Sequence, residues 1–78
     1  MTAGPLRELL LEDSADDAEL VLLELRRGGF EVESRRAWTA AGMRDALLAG
    51  EWDVVLADFA MPSFTALDAL RILHEFGA

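Results

Sequence analysis

Three acidic residues stand directly after short apolar runs: Glu12 and Asp13 after Leu9-Leu10-Leu11, and Asp58 after Val54-Val55-Leu56-Ala57. Carboxylates are hard oxygen ligands of the kind that Mg²⁺ takes while keeping several of its waters. A carboxylate beside such an ion can also act as a nucleophile and form an aspartyl phosphate. Crowded carboxylates repel and raise one another's pKa unless something neutralises them. Whether these three meet depends on the elements that carry them.

Leu6 to Leu11 is apolar except for Arg7 and Glu8, and Asp13-Ser14 beyond it reads as a helix N-cap. A helix that starts at Ala15 makes Leu9-Leu10-Leu11 a buried strand. Ala18, Val21, Leu22 and Leu25 follow the three-to-four spacing of a packed helix, with Ser14 and Asp17 in capping-box spacing. Gly28-Gly29 ends that helix. Phe30, Val32 and Ser34 then alternate with Glu31, Glu33 and Arg35, the pattern of a half-exposed strand suited to an edge. Thr39 to Ala49 reads as a second helix, with Met43, Ala46 and Leu47 inward and Gly50 as the stop.

Val54 to Ala57, with two adjacent β-branched residues, reads as a strand buried on both faces. After a turn containing Pro62, Thr65 and Asp68 repeat the capping-box spacing. Leu67, Leu70, Leu73 and Phe76 give a third amphipathic helix.

The order β-α-β-α-β-α implies an α/β fold with a parallel sheet and right-handed crossovers. An edge-like second strand beside buried first and third strands fits strand order 2-1-3, the start of the flavodoxin-like arrangement. Sites in such sheets lie beyond the carboxyl ends of the strands where the order reverses. Here that point is between the first and third strands, which end at Glu12, Asp13 and Asp58. Strands about 4.8 Å apart would make the three carboxylates converge.

The 78-residue, 8.6 kDa chain is one small domain, which excludes a large multidomain enzyme. Fifteen acids against seven arginines give a net charge of −8, spread evenly along the chain. That disfavours nucleic acid or anionic lipid as a partner, because their phosphates need basic side chains. No lysine occurs. No cysteine occurs either, which excludes disulfides and Cys-ligated zinc and fits a cytosolic protein. No apolar run approaches the length that spans a bilayer, and Met1 to Pro5 does not open a secretion signal. The expectation is a soluble, cytoplasmic protein.

Leu9-Leu10-Leu11-Glu12-Asp13-Ser14, together with Trp52-Asp53-Val54-Val55-Leu56-Ala57-Asp58-Phe59-Ala60-Met61-Pro62, resembles the receiver domain of two-component response regulators. The resemblance stays in register across essentially the whole chain, including Asp16-Asp17 and the Gly28-Gly29 turn. It implies a phosphorelay module rather than an enzyme, with Asp58 as phosphoacceptor. Asp13 and Asp58 would ligate Mg²⁺ directly, with the Ala60 backbone carbonyl as a third protein ligand and Glu12 acting through water. The implied partner is a histidine kinase or a phosphotransfer domain.

Glu at position 12 is a common family variation, and Ala66 stands where receivers often have Gly. Receivers have five strands and five helices, and residues 1–78 supply the first three of each. The family's Ser or Thr after strand four and Lys after strand five fall outside this span. The resemblance therefore implies a partial receiver domain. A third strand without a fourth beside it would present a bare edge, so self-association through that edge is expected.

A second reading is a pure binding or assembly module that never carries phosphate. A third is a phosphatase of the haloacid-dehalogenase type. That chemistry needs a second Asp two residues after the nucleophile, where this chain has Ala60. Asp13 to Glu24 has the span of an EF-hand loop, but Ala15 and Ala18 occupy ligand and glycine positions. Asp16 and Asp17 read as first-turn acids and His74 as a last-turn partner of the helix dipole. Ser63 and Thr65 read as turn and cap, the pairs Arg26-Arg27 and Arg35-Arg36 as solvated surface, and Trp38 and Trp52 as packing residues.

Overall fold

In the computed structural model, residues 4–58 and 61–77 are described. The chain runs β1 (Leu6–Leu11), α1 (Ala15–Arg27), β2 (Val32–Ala37), α2 (Ala40–Ala49), β3 (Val54–Ala57) and α3 (Ala66–Glu75). The three strands form one parallel sheet in the order β2-β1-β3, a partial flavodoxin-like α/β fold. No helix among the described residues is long and apolar enough to cross a membrane.

The strand order distributes the helices. Right-handed crossovers that leave β1 in one direction and return past it in the other place α1 on one face and α2 and α3 on the opposite face. Leu9 and Leu11 point into the larger core, where they meet Met43 and Ala46 of α2 and Ala69 and Ile72 of α3. Met61 and Phe64, 5% and 2% exposed, tie the β3–α3 loop into that core. Side chains alternate along a strand, so Glu8 and Leu10 face the other way.

Local signals set the helix ends. Ser14 Oγ accepts from the Asp17 N–H, Thr39 Oγ1 from Gly42, and Thr65 and Asp68 close a full capping box at 3.0 and 3.2 Å. At the end of α1 the Phe30 N–H donates to the Leu25 carbonyl and the Gly29 N–H to that of Arg26. This is a Schellman closure, and it needs Gly29 at φ +94°.

That closure corrects the start of the second strand. Phe30 belongs to the cap rather than to β2 and stands 53% exposed. Two further expectations are corrected. The third strand is not buried on both faces: every residue of β3 is half-buried, because β3 is itself an edge of the sheet. On α3 the core-facing residues are Ala69 and Ile72, with Leu73 packed beside them, while Leu67, Leu70 and Phe76 are exposed.

A candidate acidic metal site at the carboxyl ends of β1 and β3

The sheet's backbone ladder brings the three acids together. Leu11 lies between Ala37 and Ala57 in register. Beyond it, the Glu12 N–H donates to the Ala37 carbonyl at 3.0 Å and the Asp58 N–H to the Leu11 carbonyl at 2.9 Å. Glu12 and Asp58 are thereby placed by main-chain hydrogen bonds, before any side-chain chemistry.

One carboxylate oxygen from each of Glu12, Asp13 and Asp58 lies within 4.8 Å of the other two. Glu12 is buried at 6% exposed, Asp58 is half-buried and Asp13 is exposed, so the cluster opens to solvent on the Asp13 side. The Ser14 N–H donates to Glu12 Oε2 at 3.0 Å, which links the cluster to the first turn of α1. That bond lowers the Glu12 pKa, but burial and the neighbouring carboxyls of Asp13 and Asp58 outweigh it. The net result is a Glu12 carboxyl held above its usual range. An all-oxygen donor set with surplus negative charge and an open side suits a hard divalent cation that keeps part of its water shell.

The placement agrees with the sequence for Glu12, Asp13 and Asp58. Ala60, whose backbone carbonyl was expected as a further ligand, lies outside the described residues. One arginine expectation is corrected. Arg36 is not simply solvated surface: it is half-buried, and its Nη1 donates to the backbone carbonyls of Glu12 and Asp13 at 3.2 and 3.3 Å. Its guanidinium also lies over the Trp38 ring, 4.2 Å from the centroid. Trp38, 47% exposed, packs as the platform for Arg36. Trp52 does pack against the core, with its indole N–H donating to the Ala46 carbonyl at 3.0 Å and Arg7 lying 5.2 Å from its ring.

Arg36 reaches this corner without a sequence motif to mark it. The signal for it was the β1–β2 register. Arg36 pairs with Leu10, one step before the strand end, so a long side chain there reaches the acidic turn.

No family model, curated protein or solved structure matches the chain.

Proposed function

We infer that this chain is the receiver part of a two-component phosphorelay, with Asp58 as the phosphoacceptor. The observation that carries the reading is the convergence of Glu12, Asp13 and Asp58 at the carboxyl ends of adjacent strands in a 2-1-3 sheet. The receiver-like sequence over the same residues supports it. The donor is a phosphohistidine of a histidine kinase or phosphotransfer domain, and the setting is the cytoplasm.

In this reading a carboxylate oxygen of Asp58 attacks phosphorus. A P–O bond forms, the P–N bond to histidine breaks, and the imidazole leaves as the proton-accepting group. Asp13 and Asp58 would hold Mg²⁺ directly, with Glu12 acting through water. When bound, Mg²⁺ offsets the negative charge of the carboxylates and of the phosphoryl oxygens. Arg36 keeps the Glu12–Asp13 backbone in place through its two carbonyl contacts. The module passes a phosphoryl group and does not turn over a substrate of its own.

The test is incubation with Mg²⁺ and acetyl phosphate, followed by intact mass spectrometry. The expected result is a gain of one phosphoryl group that is absent in Asp58→Asn. A chain that binds Mg²⁺ yet gains no phosphoryl group contradicts the phosphoacceptor role and favours the second reading, an assembly module.

A further inference from the structure

We propose that the cleft between α2 and α3 binds a small organic anion: a flat apolar body carrying one carboxylate or phosphate group. The inference stands apart from the phosphoacceptor reading, because the cleft shares no residue with the acidic corner.

The cleft encloses about 460 Å³, within the range of roughly 300–1,000 Å³ usual for small-molecule sites. Both of its walls are helices of the described chain, so the hollow is not a bare sheet edge. Arg44 reaches it from α2, and Asp68 and Arg71 from α3. Phe64 and Ile72, buried among the core residues, close its floor. Trp38 lines it at the carboxyl end of β2 with an exposed ring. An apolar floor with a few polar groups above it is the usual make-up of a small-molecule site. Phe64, Ile72 and Trp38 offer most to a ligand with a ring.

Charge chooses the head group. The chain carries −8, yet two arginines and one acid line this cleft, a balance of 2 − 1 = +1. The acid is already committed, since Asp68 Oδ2 accepts from the Thr65 N–H at 3.0 Å in the cap of α3. Arg71 forms no ion pair with a described residue, and it acts on Asp68 only through charge. Its guanidinium has five N–H donors in a planar fork that matches a carboxylate or a phosphate.

Arg44 shows the kind of group that suits this rim. Its Nε and Nη2 already hold a carboxylate, that of Glu75, in bonds of 3.3, 3.0 and 2.9 Å. Nη1 takes part in none of these. The Ser63 hydroxyl, which also lines the cleft, adds a donor for an anionic oxygen. Two guanidinium groups match one anionic group, while the acidic remainder of the surface repels a long polyanion. The occupant is therefore a small molecule rather than a nucleic acid strand.

The test uses the whole chain without divalent cation, so that metal-bridged binding at the acidic corner does not contribute. Phenyl phosphate and benzoate are the probes, and benzamide is the uncharged control. Titration followed by ¹H–¹⁵N spectra should move the Trp38 indole signal and the Ser63 and Arg71 amide signals to saturation. The stronger of the two anions decides between phosphate and carboxylate. Benzamide should bind about tenfold more weakly than that anion, or worse. Arg71→Gln, at an exposed position, should weaken the same anion by about tenfold or more. Arg26→Gln, on α1, removes the same charge away from the cleft and should leave the affinity unchanged. Neither anion giving a saturable shift at millimolar concentration overturns the proposal. Benzamide binding as tightly as the anions overturns it too, because the arginines then select nothing. An affinity that Arg71→Gln lowers no more than Arg26→Gln does also overturns it, since net charge alone accounts for that result.

Discussion

Ser34 Oγ donates to Glu8 Oε1 at 2.7 Å, joining β2 to β1 through a carboxylate that is fully buried in the middle of the sheet. Glu8 Oε2 has no hydrogen-bond partner. A buried polar atom without a partner carries the full cost of its lost hydration, about 1–3 kcal/mol. Ser34 is exposed and can turn to water if its partner is removed. Glu8→Leu is therefore expected to raise stability by about 1–3 kcal/mol. Urea unfolding checks this, and a lower midpoint in the variant would show that the carboxylate is a net asset.

Arg36 offers a test of how the acidic turn is held. Arg36→Ala removes two hydrogen bonds to the Glu12 and Asp13 carbonyls and the stacking on Trp38. Groups that orient metal ligands without touching the ion are worth roughly 10-fold or more in affinity. Mn²⁺ or Mg²⁺ affinity should fall by about that factor, read by calorimetry. An unchanged affinity would reduce Arg36 to a surface ornament of β2.

Removing one acid from the cluster should act in opposite directions with and without cation. Asp13→Asn relieves repulsion among three carboxylates that lie within 4.8 Å. Without divalent cation the variant should melt a few degrees higher, about 2–5 °C for a domain of this size. With Mg²⁺ the wild-type chain should gain stability by mass action and the variant should gain much less. Parallel melts that rise equally on adding Mg²⁺ would place the ion elsewhere.

Acid should erode the α3 end of the molecule. Hydrogen bonds from the Thr65 backbone and side chain hold the Asp68 carboxyl below its ordinary 3.8, with Arg71 adding to the effect. The hydrogen bond and charge of Arg44 hold Glu75 below its ordinary 4.5. A carboxyl depressed in the folded state contributes stability above its unfolded pKa, and that contribution is lost as pH falls through the folded one. Stability should therefore drop as pH goes below about 4.5. The decline should be shallower in Asp68→Asn/Glu75→Gln, measured by urea midpoints across the acid range.

Element order, sheet order and the three converging acids could be read from the sequence because each rests on local, repeated signals. Ser14, Thr39 and Thr65 cap where their spacing says they should, and Gly28-Gly29 closes α1. What could not be read were properties that depend on register or on neighbours. Glu8 looks like a simple interruption of an apolar run until β2 sets Ser34 against it. Phe30 has the alternation of a strand, but its N–H is taken by the helix cap. Leu67 and Leu70 have helical spacing, yet among the described residues the sheet beneath α3 ends at β3, and both side chains stand exposed.

The main-chain bonds from Glu12 to Ala37 and from Asp58 to Leu11 have an evolutionary consequence. They set the corner's shape without asking what its side chains are. Shape and donor set are then separable traits: a single substitution at Asp58 removes its carboxylate while leaving both main-chain bonds in place. A copy altered in that way would keep the fold of the original and be free to be kept for whatever its surfaces bind.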